Sequence, residues 1–176
     1  MKAVRVKEYG GPEAMCYEDI DVPSPGANDV LVKVEAAGIN FIDTYQRSGL
    51  YQIPLPATLG LEAGGIVEEV GSDVSLFKAG DRVAYTNVAG AYAEYASVPE
   101  DKLVALPDGV SFAEGAAAML QGCTAHYLSQ STYKIKSGDS CLIHAAAGGV
   151  GLLLIQMAKM AGASVIGTVS TEEKAE

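Results

Sequence analysis

The stretch Ala146-x-Gly148-x-x-Gly151 has residue types and spacing that can do chemistry. It supplies two of the three glycines of the G-x-G-x-x-G pattern that seats a dinucleotide, with a small residue in the first position. A short apolar strand over residues 140–145 precedes it. A helix opened by Gly148-Gly149-Val150-Gly151 follows, running to Ala161 and stopped by Gly162, and a second strand covers residues 164–169. In such a unit a pyrophosphate rests on the helix N-terminus, held by free N–H groups and favoured by the helix dipole. Side chains there would hold the phosphate off, so glycine is needed where the backbone must approach. The alternative, a glycine turn that only packs helix closely on sheet, stays open at this point. An NAD site usually places Asp or Glu at the end of the second strand to hold the ribose 2′-hydroxyl. Here the position is Ser170, with Lys174 four residues on. A hydroxyl and a nearby cation tolerate a 2′-phosphate that a carboxylate would repel, which favours NADPH over NADH. Glu172 and Glu173 are read as first-turn charges of the next helix.

The elements that must position this turn change character near residues 110–137. Residues 152–160 are apolar apart from Gln156 and Lys159, the pattern of a helix packed on a sheet. Strand, glycine turn, helix and strand make a βαβ unit whose strands should run parallel. Upstream, Ser111-Phe112-Ala113-Glu114 fits a capping box that opens an alanine-rich helical stretch to Ser131, expected in two pieces broken near Gly122. Before residue 110 the chain reads as short strands of period two, over 30–35, 64–71, 81–85 and 92–98. Pro23, Pro25, Pro54, Pro56 and Pro99 punctuate them as loops, and residues 40–48 read as a short helix or turn. Strands at this spacing predict a mostly antiparallel, barrel-like unit.

Composition narrows the classes. Apolar residues at 49% and charged residues at 19% describe a folded globule. Twenty-two acidic against twelve basic side chains give a net charge of −10, which argues against nucleic acid or an anionic membrane as partner. The chain holds no apolar run of 18 residues and opens with charged and apolar residues alternating, without the apolar middle of a signal peptide, so a cytoplasmic protein is expected. Cys16, Cys123 and Cys141 are far apart and odd in number. They are read as reduced, semi-buried thiols with no disulfide or metal site. His126 and His144 likewise lack partners at ligand spacing and are read as semi-buried imidazoles.

Several stretches together carry a family likeness. They are Met1-Lys2-Ala3-Val4 with Gly10-Gly11-Pro12-Glu13; Ala37-Gly38-Ile39-Asn40-Phe41-Ile42-Asp43-Thr44-Tyr45; and Gly60-Leu61-Glu62-Ala63-Gly64-Gly65-Ile66-Val67. Ala79-Gly80-Asp81-Arg82-Val83, Gln121-Gly122-Cys123-Thr124-Ala125 and the turn from His144 to Gly151 complete the set. The whole chain resembles the zinc-independent quinone oxidoreductases of the medium-chain dehydrogenase/reductase superfamily, the group that includes zeta-crystallin.

That resemblance implies an α/β plus β fold. A GroES-like β-barrel catalytic domain over residues 1–120 is followed, over 121–176, by the first βαβ of an incomplete Rossmann domain, with NADPH in the cleft between them. It implies that Asn40, Asp43, Tyr45 and Tyr51 line the nicotinamide and quinone pocket, and that Thr124, with Tyr127 beside it, meets the nicotinamide. It also places the pyrophosphate on Gly148, Gly149, Val150 and Gly151, and the 2′-phosphate on Ser170 and Lys174. Read from the residues alone, Tyr45 and Tyr51 could be packing residues, Asp43 a helix-turn bond and Asn40 a loop cap.

Zinc-dependent members of the superfamily have a cysteine at the place of Asn40, a histidine at that of Leu61 and a third thiolate at that of Leu120. No metal is therefore expected. Without that Lewis acid an unactivated alcohol is a poor substrate, whereas a quinone accepts hydride readily, given stacking and an oxyanion donor such as Asn40 or Tyr45. The expected activity is NADPH-dependent quinone reduction. The alternatives are reduction of a conjugated enal or enone at the same site, or a catalytically silent binding or scaffold fragment. The family's members are longer than 176 residues and the parent is expected to be a homodimer. The isolated chain is expected to bind NADPH weakly and to turn over slowly or not at all.

Overall fold

Valines at alternate positions make the first unit a β structure. In chain order it carries β1 (Lys2–Val6), β2 (Met15–Asp19), β3 (Asp29–Ala37), helix α1 (Phe41–Ser48), β4 (Ala57–Thr58), β5 (Glu62–Val70), β6 (Arg82–Thr86), β7 (Tyr95–Pro99) and β8 (Leu103–Ala105). The computed structural model describes residues 1–175 and divides them into two units, Met1–Leu120 and the segment from Gln121 onward. Five antiparallel strands form one sheet in the order β7-β3-β5-β6-β8, and β2-β1-β4 form a second. A bridge between Ala3 and Ala93 ties the second sheet to the segment that leads into β7. Val30, Val32, Val67, Val83, Tyr85 and Val98 fill the core, while Lys33, Glu35 and Ala37 on the other face of β3 are exposed. This is the alternation a half-buried antiparallel strand requires. A register shift in the β3–β5 ladder falls between Val34 and Ala36. Just beyond it, Gly38 N–H donates to the Glu62 carbonyl at 3.1 Å, and the chain turns into α1. Residues 92–94 lie outside β7, which begins at Tyr95, so that strand is shorter than its alternation suggests.

Helix α2 (Phe112–Tyr127) opens on the expected capping box. Glu114 accepts the Ser111 N–H at 2.8 Å, and Glu114 N–H donates to the Ser111 hydroxyl at 3.2 Å. The expected break at Gly122 is absent. The helix runs unbroken through it and widens only at Leu128–Thr132 into a π-helical turn. One glycine costs a helix about 1 kcal/mol relative to alanine, and the good helix formers before it, from Ala116 to Gln121, outweigh that.

The second unit holds β9 (Ser140–Ile143), α3 (Gly149–Met160) and β10 (Ser164–Gly167), with β9 and β10 parallel in the register Ser140↔Ser164 to Ile143↔Gly167. Gly162 ends the helix at φ 82°, where other residues are strained. Leu142, Met160 and Ile166 are 61, 87 and 65% exposed, so this sheet and helix leave much apolar surface uncovered. No helix among the described residues is long and apolar enough to cross a membrane.

Two sequence readings are corrected here. Cys16 and Cys123 are exposed and only Cys141 is half-buried, because β2 is an edge strand exposed at most positions and Cys123 sits on an open face of α2. His126 and His144 are both exposed, the latter where β9 ends in a turn.

Candidate functional site

Asn40 and Asp43 lock the entrance to α1. Asn40 caps the helix in extended conformation, and the Asp43 carboxylate reaches back to accept the Asn40 N–H at 2.8 Å, forming a capping box. Both residues are buried. Asp43 Oδ2 also accepts a 2.6 Å bond from the Tyr92 hydroxyl, whereas Oδ1 is buried without a partner among the described residues. Burial, followed by the bond to Asp43, holds the Tyr92 hydroxyl well above the usual phenol range.

The Asn40 carboxamide is tied from the other side. Its Nδ2 donates to Glu62 Oε1 at 2.7 Å, and Glu62 Oε2 accepts the Leu120 N–H at 2.6 Å. Glu62 is 1% exposed and makes no ion pair among the described residues, so the Asn40 side-chain amide and the Leu120 main-chain N–H take the place of a counter-ion. Gly38 is required for this arrangement, since a Cβ there would collide with the Glu62 side chain.

The four acceptor-site candidates fall into two pairs. Asn40 and Asp43 face a cavity of about 460 Å³ whose apolar wall includes Val4, Met15, Ile39 and Leu59, with Arg47 and Tyr92 at its polar edge. Tyr45 and Tyr51 do not line that cavity. Their rings meet each other at 5.2 Å between centroids, and Phe41 meets Tyr45 edge-on at 5.3 Å. Phe41 and Tyr51 are exposed, so this cluster presents aromatic surface to solvent. Helical spacing explains the division, because positions 40, 43 and 47 share one face of α1 while 41 and 45 share another.

Glu62 and Tyr92 were given no role by sequence reasoning. The signal for Glu62 was a carboxylate set among glycines and apolar residues at a strand start, with a glycine at position 38 to admit it. Nothing local marks Tyr92, whose partner lies 49 positions away.

In the second unit the glycine turn divides its duties. Gly148, the cap of α3, is exposed and has only the Ala145 carbonyl oxygen, 3.1 Å away, near the place a Cβ would take. Gly151 is buried, and a Cβ there would lie 2.5 and 2.6 Å from the carbonyl oxygens of Ala145 and Ala146. At Gly149 the Gln121 side chain fills that place. Gly151 therefore serves close helix–turn packing, while Gly148 leaves its side of the turn open for a ligand. Among the described residues no side chain caps α3, and its first turn starts beside a cavity of about 370 Å³. Gly148, Ser170 and Lys174 all line that cavity, with Ala145 and Thr168. Ala145 adopts φ 51°, a left-handed conformation rare outside glycine, and its carbonyl accepts the Gly148 N–H at 2.8 Å. His144 Nδ1 and the Thr168 hydroxyl pair at 2.9 Å across the ends of β9 and β10. Thr124 is half-buried and Tyr127 half-exposed on α2, and neither lines this cavity. An uncapped helix end, an open glycine and a nearby lysine fit a dinucleotide that carries an extra phosphate.

Among the described residues, no three His, Cys, Asp or Glu side chains gather in a way that could hold a metal ion. Leu61 stands beside Glu62 at the start of β5, and both are buried.

Comparison with known proteins adds to this geometry. Residues 26–108 match the alcohol dehydrogenase GroES-like domain. A quinone oxidoreductase of Pseudomonas aeruginosa is 53% identical across 99% of this chain and 54% of its own length. The crystal structure of Escherichia coli quinone oxidoreductase complexed with NADPH superposes with a TM-score of 0.97 at 47% identity, over 99% of this chain and 54% of that one. A 2-haloacrylate reductase from Burkholderia is 43% identical over 99% of this chain and 54% of its own. The chain thus spans about half the length of the curated relatives it matches.

Proposed function

Because 99% of the chain is similar to a quinone oxidoreductase at 53% identity, we propose that it belongs to that family and carries the acceptor-binding and phosphate-binding parts of an NADPH-dependent quinone reductase. Residues 1–120 are the GroES-like acceptor domain on this reading, and residues 121–176 open the Rossmann domain. The observation that carries the cofactor assignment is the cavity shared by Gly148, Ser170 and Lys174 at the uncapped start of α3. When bound, NADPH supplies the hydride. The chain's own residues bind and orient. The α3 N–H groups hold the pyrophosphate with Gly149, Val150 and Gly151, and Lys174 with Ser170 holds the 2′-phosphate. Thr124 and Tyr127 meet the nicotinamide. Asn40, fixed by Asp43 and Glu62, presents its carboxamide to the acceptor oxygen where negative charge develops, and Tyr45 and Tyr51 offer a face on which a quinone ring stacks. The excess of acidic side chains supports a small neutral acceptor over a polyanionic partner. A cytoplasmic homodimer is the setting this reading takes from the family.

The 2-haloacrylate reductase among the relatives favours a second reading, reduction of an alkene conjugated to a carboxylate or carbonyl. The same hydride-accepting geometry serves both. Parallel titration and turnover with 1,4-naphthoquinone and with an alkenal decides between them.

The cofactor assignment is tested by titrating the protein with NADPH and NADH, followed by nucleotide fluorescence. NADPH should bind about tenfold more tightly than NADH, and Lys174→Ala should erase the difference while leaving NADH unchanged. Equal affinities in the unsubstituted protein would overturn the assignment. Absolute affinity for NADPH in this chain is expected to be weaker than micromolar.

A further inference from the structure

We infer that Glu62 is a positioning residue for the acceptor, fixing the direction in which the Asn40 carboxamide points. The inference rests on the proposed role of Asn40 as the acceptor's hydrogen-bond donor. Glu62 starts β5 at 1% exposure, and among the described residues neither of its oxygens meets a cation. One oxygen takes Asn40 Nδ2 at 2.7 Å and the other the Leu120 N–H at 2.6 Å, a main-chain donor inside α2. A carboxyl group buried this deeply is retained only where its acceptor capacity is used, and here both oxygens receive a donor. Asn40 is held twice over, since its main-chain N–H is bound by Asp43 and its carboxamide by Glu62. Asp43 therefore holds the main chain of the cap residue, and Glu62 sets its side chain in one rotamer. Because the amide is planar, the bond from Nδ2 to Glu62 fixes the direction of the whole carboxamide. Gly38 supports the device from outside, because any side chain at that position would displace Glu62.

The polarity of the link makes it testable with an isosteric change. A glutamine side chain has one acceptor and one donor, so in Glu62→Gln either the Asn40 amide or the Leu120 N–H faces an N–H in place of an oxygen. The chain has nine tyrosines and no tryptophan, so quenching of tyrosine emission reads 1,4-naphthoquinone binding directly. The Asn40 side-chain amide, assigned by heteronuclear NMR, reads the positioning itself. Expected in Glu62→Gln are loss of the slowed amide-proton exchange of Asn40 and about tenfold weaker naphthoquinone binding. NADPH affinity should not change. Glu62→Asp keeps the charge but is one methylene short. It carries the same comparison if the glutamine variant does not fold. A merely structural role would raise exchange across the whole first unit and leave naphthoquinone affinity of the folded protein unchanged, which would overturn the inference. So would an Asn40 amide indifferent to the substitution. Absence of naphthoquinone binding by the unsubstituted chain would overturn the acceptor reading and this inference with it, and that control separates the two failures.

Discussion

Replacing Tyr92 with phenylalanine isolates the bond that latches α1 to the rest of the first unit. The phenyl ring keeps the packing over Gly60, where a Cβ would collide with the tyrosine ring, so burial changes little. What is lost is a single 2.6 Å hydrogen bond to Asp43 Oδ2. That carboxylate is 5% exposed, and its other oxygen already lacks a protein partner, leaving the Asn40 N–H as its remaining donor. Hydrogen bonds to charged groups contribute about 1.5–3 kcal/mol, and loss near the middle of that range, about 2 kcal/mol, is expected. For a chain of this length that is a fall of about 4–8 °C in melting temperature. The assay is urea unfolding followed by the near-ultraviolet dichroism of the tyrosines, run for Tyr92→Phe, Asp43→Asn and the double variant. The cycle should return a coupling of about 1–2 kcal/mol between the two sites. A Tyr92→Phe variant within about 0.5 kcal/mol of the parent, or a coupling near zero, would refute the view that this pair holds the entrance to the helix.

Tyr85 tests the opposite sign: it is fully buried with a hydroxyl that has no protein partner, so Tyr85→Phe should stabilise by about 1 kcal/mol, read by the same urea curves. Burial raises the phenols of Tyr85 and Tyr92 above their ordinary range, so only the unfolded chain releases these protons near pH 10. Stability should then fall as pH rises beyond about 10, by up to about 1.4 kcal/mol per pH unit for each tyrosine, and more gently in either phenylalanine variant. In the glycine turn, Gly151→Ala should destabilise by about 1–3 kcal/mol because carbonyl oxygens occupy the Cβ position. Gly148→Ala should cost less stability, since its Cβ would meet only the Ala145 carbonyl oxygen at 3.1 Å, and should weaken NADPH titration.

Local chemistry explains what could be read from the sequence. The βαβ unit announced itself through an apolar strand, closely spaced glycines and a stop at Gly162, and the parallel register of β9 and β10 follows from that connection. Ser111 and Glu114 were legible for the same reason, since a capping box lies within four residues. Gly122 misled because its helix cost is small and depends on what surrounds it, and here the helix formers from Ala116 to Gln121 carry the helix past it. The exposure of Cys16, Cys123, His126 and His144 was misjudged because burial is a tertiary property that residue type only biases. The links from Asn40 to Glu62 and from Asp43 to Tyr92 cross 22 and 49 positions of sequence, and only the folded sheet brings those partners together. The same holds for the parting of Asn40 and Asp43 from Tyr45 and Tyr51, which needs the rotation of α1 about its axis.

The two-stranded sheet beneath α3 has an outcome of its own. Among the described residues β9 and β10 pair only with each other, so each presents a row of main-chain groups along its outer edge, and Leu142 and Ile166 face solvent. A pair of strands this short is marginal in water without further cover. Warming or dilute urea will melt this region first, while the five-stranded core is still whole. Loss of order around α3 in a stored sample would then be a poor gauge of the first unit's integrity.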